Sequence, residues 1–306
     1  MDYFIWTEVI GCGEILPPFV ASYAAHNTQP VHVIGYATDL VGLPESNLFV
    51  PIEIGEDSAL SSNTSPMLGG SKTEIEEAYR LGHSGTALVW SMLVRERPEQ
   101  IMIHLDADTV FLGDVVSPLL SKAQEGYAVV GTRRPYRYSR AGKSKWQRFA
   151  TFFMADTVNT HLFAFRRDML RESTSELRIL IRGGHPNRLV GFLFPVIDFF
   201  DRVSYRLIRR GGVYYLDSDS QGSHGHHSHE TPIESLMITF SAVGSGLAFT
   251  KNPEANVPVT YKDYALKSYS LFANNLLDIR VDYEQLDNSF IKNQLSRLDR
   301  QSWTLK

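Results

Sequence analysis

The chain predicts an α/β protein in which a mostly parallel sheet is flanked by helices. Three observations point there. Ile101 to Leu105 is apolar except for His104, as expected of a strand covered on both faces rather than one with a wet side. The chain opens with a strand, a helix and a second strand, the unit from which parallel sheets are wound. Its 306 residues, 43% hydrophobic and 21% charged, are enough to bury a large core.

In order, Phe4 to Ile10 reads as the first strand and Gly11-Cys12-Gly13 as the turn after it. Pro17 and Pro18 open a helix over Phe19 to His26, where missing N–H groups cost nothing. Val31 to Tyr36 is the second strand, ending at Thr38-Asp39. From Gly42 to Gly70 the chain is rich in Ser, Pro, Gly and Asn, an irregular connection around one edge strand at Leu48 to Ile54. Thr86 to Arg97 is an almost wholly apolar helix stopped by Pro98, to be buried against the sheet. After the strand at 101–105, Val115 to Gln124 reads as a helix, and Tyr127 to Gly131 and Thr157 to Phe165 as strands. Val196 to Arg210 is a helix whose Val196, Phe200, Val203 and Leu207 share one face, and Val213 to Leu216 is the strand after it. Leu286, Phe290, Ile291, Leu295 and Leu298 form an amphipathic helix near the C-terminus, to pack on the rest of the chain or on a second subunit.

Four groups of residues carry chemistry. Asp106 and Asp108 follow a buried strand at its carboxyl end, where ligands of parallel sheets collect. Side chains two apart in an extended chain share a side at a spacing of about 7 Å, so the pair can share a divalent ion. Hard carboxylate oxygens suit Mg²⁺ or Mn²⁺. The plainer reading is a turn cap at Asp108 and a solvated carboxylate at Asp106. Asp198 and Asp201 lie near each other on their helix, there either for the helix dipole or for acid–base work. Arg133 to Arg148 holds five arginines, two lysines and no acid, with Tyr136, Tyr138 and Trp146 between them. It is either a solvated loop or a lid for an anionic partner. Between residues 224 and 229 four histidines cluster, a composition that often binds metal.

The segment Leu105-Asp-Ala-Asp-Thr-Val-Phe-Leu-Gly-Asp-Val115 resembles the Asp-x-Asp segment of nucleotide-sugar-dependent glycosyltransferases of the GT-A fold. The resemblance implies a GT-A-like (Rossmann-like) catalytic domain over 1–230, with a nucleotide-sugar half (1–114) and an acceptor half (115–230). Residues 231–306 then form a C-terminal extension packed on it. It further implies that Asp106 and Asp108, with Ala107 between them, hold Mn²⁺ or Mg²⁺ against a donor diphosphate. By the same likeness Thr7, Glu8 and Asp39 face the base and ribose, and His83 and Ser84, at the start of the apolar helix, reach the donor. A histidine of the cluster, His224 or His226, is the third metal ligand. The stretch from Asp198 to Asp219 resembles the glycosyltransferase family 2 segment in which one aspartate is the catalytic base, so Asp198 or Asp201 takes that role. Here the acidic pair is three residues apart rather than two. The strand from Thr157 is similar to the Asn-Thr-Gly strand beneath the acceptor in GT-A enzymes, with His161 in place of the glycine.

The expected activity is therefore metal-dependent, inverting transfer of a sugar from a UDP- or GDP-linked donor to an acceptor hydroxyl. The alternatives are a retaining enzyme resembling glycosyltransferase family 8, whose Leu-Asp-Ala-Asp-Thr is equally similar, and a non-catalytic carbohydrate-binding protein. The basic segment favours an anionic or lipid-linked acceptor glycan. A net charge of −4 offers no global case for nucleic acid. One cysteine, Cys12, excludes an internal disulfide and fits a reducing compartment. No apolar run approaches the roughly 18 residues that would span a bilayer. A cytoplasmic protein, at most peripheral at a membrane surface and able to form a homo-oligomer, is the expectation.

Overall fold

The structure, a computed structural model, describes residues 2–9, 12–53, 89–90, 93–94, 96–134, 157–170, 201–216, 233 and 236–239. His83, Ser84, Asp198, His224 and His226 lie outside them, as do the basic segment beyond Arg134 and the C-terminal amphipathic helix.

Seven strands form one sheet: β1 (Tyr3–Glu8), β2 (Val31–Gly35), β3 (Phe49–Glu53), β4 (Ile101–Leu105), β6 (Val129–Arg134), β7 (Thr157–Arg166) and β8 (Val213–Tyr215). Their order across the sheet is β3-β2-β1-β4-β7-β6-β8. Only β7 runs against its neighbours; every other pairing is parallel. The expected α/β class with a mostly parallel sheet is what the chain forms. A second sheet pairs β5 (Thr109–Phe111) with β9 (Met237–Thr239), antiparallel. Neither strand was legible in the sequence, because three residues carry too little periodicity to register.

Side-chain alternation sorts the strands into two apolar layers. On one face Ile5, Val9, Val33, Ile101, Ile103, Leu105, Val130, Leu162 and Ala164 meet Leu16, Phe19 and Tyr23 of helix α1 (Leu16–His26) and Val116, Leu119 and Ala123 of helix α2 (Val116–Gln124). On the other, Phe4, Trp6, Met102, Val129, Phe163 and Phe165 meet the helical residues Trp90, Leu93 and Val94, and Val203 and Leu207 of helix α3 (Asp201–Gly211). A strand with both faces covered cannot alternate with polar residues, and all five residues of β4 are buried. His104 is the exception in kind, not in burial.

Local chemistry accounts for the boundaries. Helix α1 starts three residues earlier than the proline pair suggested, after a 3₁₀ turn over Gly13–Ile15. Helix α3 stops where Gly212 takes φ = 76°, a left-handed conformation that glycine adopts without a Cβ clash. Strand β6 runs past Gly131 to Arg134 by way of an irregularity between Gly131 and Arg133. Met237–Thr239, beyond residue 230, pairs with β5, the strand that follows the Asp-x-Asp. Among the described residues no helix is long and apolar enough to cross a membrane.

Ile103 sits at the centre of this arrangement with no exposed surface, whereas Val41 is 84% exposed. Ile103→Ala should therefore cost about 2–5 kcal/mol in urea unfolding, and Val41→Ala no more than about 0.5 kcal/mol. Equal, small losses would mean that β4 is not the centre of the core.

Candidate active site

Six parallel strands bring their carboxyl ends to one edge of the sheet, and antiparallel β7 brings its amino end to the same edge. The sequence-predicted residues at 7, 8, 39 and 106–108 lie along it, on the ends of β1, β2 and β4. The Asn159-Thr160-His161 segment of β7 joins them there. A backbone hydrogen bond fixes the join, because the Asp106 N–H donates to the His161 carbonyl at 2.8 Å.

The residues differ in what they can offer a ligand. Thr7 has no exposed surface, lies on the α1 side of β1, and its hydroxyl has no hydrogen-bond partner among the described residues. Such an orphan costs about 1–3 kcal/mol, and it reaches a ligand only if the strand end opens. Asp39 is also buried, and its carboxylate accepts the Gly13 N–H at 3.2 Å and the Tyr36 N–H at 3.4 Å. Gly13 must be glycine for this contact: a Cβ there would lie 2.4 Å from the Asp39 carbonyl oxygen. Asp39 thus pins the β1–α1 turn against the end of β2.

The two aspartates of the central motif are unequal. The Asp106 side chain is 35% exposed, whereas Ala107 and Asp108 are 5% and 8% exposed as residues. The chain then enters β5, which β9 holds in place, and the Leu112 N–H donates to the Leu236 carbonyl at 2.7 Å. The expected open pair of strand-end carboxylates is one partly exposed and one mostly buried group.

Behind Asp106 lies a polar network inside an apolar face. Glu8 Oε1 accepts the Trp90 indole N–H at 2.8 Å, and Glu8 Oε2 lies 3.1 Å from His104 Nε2. His104 Nδ1 lies 2.7 Å from the Thr160 carbonyl, and Asp106 Oδ1 is 3.8 Å from His104 Nε2. Burial opposes a charge on this imidazole. The Glu8 carboxylate, by charge and hydrogen bond, then Asp106 and the Thr160 carbonyl outweigh that cost and raise the pKa above its ordinary value. Glu8, expected at the donor, accepts the Trp90 N–H and lies beside His104. His104 was legible only as the one polar residue in an apolar strand, and Trp90 carried no signal inside an apolar helix.

Across β7, the Asn159 side-chain amide donates to Thr132 Oγ1 at 3.0 Å and to the Arg133 carbonyl at 3.1 Å. Thr132 Oγ1 is also 3.4 Å from His161 Nε2. Sequence reasoning placed the strand but not this tie to β6. Helix α3 packs on the same face as Glu8 and His104 and begins at Asp201.

The described donor set suits a hard divalent cation. Asp106 and Asp108 supply carboxylate oxygen at a strand end, and such ions keep open positions for phosphate and water. Among the described residues no three His, Cys, Asp or Glu side chains form a metal-holding group. On either side of the residues 217–232, which include the histidine cluster, the Ile233 N–H donates to the Leu216 carbonyl at 2.9 Å.

The raised pKa of His104 has a consequence for folding. Its folded value lies above the ordinary 6.5, so the stabilisation it contributes is complete below that pH and is lost as pH rises through the folded value. The melting temperature of the wild type should fall over that upper range by more than that of His104→Gln. Parallel curves would mean that the ring's charge adds nothing to stability.

No protein-family profile and no curated protein matches the chain. Solved structures that resemble it include apo mouse xyloside xylosyltransferase 1, at 12% identity and a TM-score of 0.44, covering 71% of this chain and 86% of that one. An active-site mutant of LgtC is similar at 10% identity and a TM-score of 0.43, over 99% of this chain and 97% of that one. Likenesses this distant carry no argument about activity.

Proposed function

We propose that the chain transfers a sugar from a nucleotide-diphosphate donor to an acceptor hydroxyl, with a divalent metal and with inversion. The observation that carries this reading is the convergence of Asp106 and Asp108 with the ends of β1, β2 and β7 on one edge of the sheet. The turn pinned by Asp39 offers a seat for the nucleotide, and β7 with α3 offers a floor for the acceptor.

Mn²⁺ or Mg²⁺ would be held by Asp106 and Asp108, with His224 or His226 as a further ligand from the sequence. When bound, such an ion supplies Lewis-acid stabilisation of the departing diphosphate. The chain's own residues do the rest. Asp39 and Gly13 shape the nucleotide seat, and His161 holds the Asp106 backbone. Asp198 or Asp201 takes the proton of the acceptor hydroxyl as the new bond forms, the carboxylate role that sugar transfer through an oxocarbenium-like state demands. Arg133 and the basic residues after it would face an acceptor bearing phosphate or carboxylate, such as a lipid-linked or acidic glycan.

Donor turnover separates these roles. Asp108→Ala should abolish transfer, and chelation should reproduce the loss until Mn²⁺ is restored. Asn at the true base, 198 or 201, should lower kcat by several orders of magnitude with donor affinity nearly constant. Full activity in excess chelator would remove the metal. Normal rates in both Asn variants would point to a retaining route instead.

A further inference from the structure

Strand β7 keeps step with one neighbour and slips against the other. Against β4 its register holds without a break, from Arg166 opposite Ile101 to Leu162 opposite Leu105. Against β6, Gly131 pairs with Phe163 and Arg133 with Val158, so two steps along β6 meet five along β7. The surplus forms a bulge between Val158 and Leu162. Its residues Asn159, Thr160 and His161 are half-buried, between fully buried runs on either side. This bulge grips the end of β4. The His161 carbonyl accepts the Asp106 N–H at 2.8 Å, and the Thr160 carbonyl accepts from His104 Nδ1 at 2.7 Å, a bond that the neutral and the charged ring make alike. A bulge gives up ladder bonds and needs another tie to keep one shape. Asn159 supplies it, its amide nitrogen lying 3.1 Å from the Arg133 carbonyl and 3.0 Å from Thr132 Oγ1. A carbonyl only accepts, so the amide nitrogen and not its oxygen must face Arg133.

We propose that Asn159 is a positioning residue: by locking the β7 bulge to β6 it sets where the Asp106 carboxylate stands, and so how well Asp106 and Asp108 together take a divalent cation. This rests on reading those two aspartates as cation-binding. Asn159 acts at a distance, through the bulge backbone that carries the His161 carbonyl to the Asp106 N–H. Small hard cations tolerate little departure from their preferred ligand distances and angles. A strand end that drifts with an unlocked bulge therefore costs affinity, even though neither carboxylate is changed. Partners that orient a metal ligand without touching the metal have effects of this kind.

The test is Mn²⁺ binding, measured by titration calorimetry on the full chain without donor, beside the melting temperature of each variant without metal. Asn159→Ala removes both bonds to β6 and should weaken Mn²⁺ binding by about tenfold, the low end for a residue that orients a metal ligand. Thr132→Val keeps the side chain's shape and the Arg133 bond, and should weaken binding in the same direction by less. A tie that serves the fold alone lowers both melting temperatures and leaves the affinity for Mn²⁺ where it was. Folding is checked by circular dichroism. Should Asn159→Ala fail to fold, Thr132→Val decides. Unchanged Mn²⁺ affinity in the folded variants overturns the inference and leaves the metal site standing. Failure of both to fold overturns it as well, by making the tie one of the fold. If the wild type itself binds no Mn²⁺, the reading of Asp106 and Asp108 falls, and the role of Asn159 with it.

Discussion

The covering of β4 on both faces is the constraint on which the rest depends. Because all five residues of that strand are buried, no polar group along it can reach water, and its chemistry is pushed to its end. The strand stops at Leu105 and the chain turns at once through Asp106, Ala107 and Asp108. Antiparallel β7 then supplies the carbonyl that takes the Asp106 N–H, so the end of the strand cannot fray. Two apolar layers above and below fix the same point from both sides.

The polar pair His104 and Glu8 shows how such an edge is held. A buried polar pair is tolerated only when its remaining hydrogen-bonding groups are satisfied. Here the indole of Trp90 and the carbonyl of Thr160 do that for Glu8 and His104 respectively. The pair joins the ends of β1, β4 and β7 in the layer opposite Asp39. The Gly13–Asp39 contact does comparable work on the other side by hydrogen bonding to backbone. Both arrangements settle geometry around the motif without requiring a ligand.

Much of the fold was legible because long apolar runs declare themselves. The strand at 101–105 and the helix ending at Gln124 lie within a residue of their expected bounds, and the strand starting at Thr157 extends to Arg166. The β5–β9 pair was not, since short strands owe their pairing to neighbours rather than to pattern. The strand end carrying Asp106 and Asp108 was legible, but the hydrogen bonds around it were not. Sequence shows that Glu8 and Asp39 are acidic and terminate strands; only the fold shows that each is already bound to groups far away in the chain. Trp90 reads as core and is core, yet its N–H donates to Glu8 Oε1.

The most direct test of a metal-dependent donor site at this edge is a thermal-shift screen of nucleotide-sugars with and without Mn²⁺, on wild type and Asp108→Ala. At least one UDP- or GDP-linked sugar should raise the melting temperature of the wild type only when Mn²⁺ is present, and should leave Asp108→Ala unmoved. The same shift without metal, or undiminished in Asp108→Ala, would contradict it.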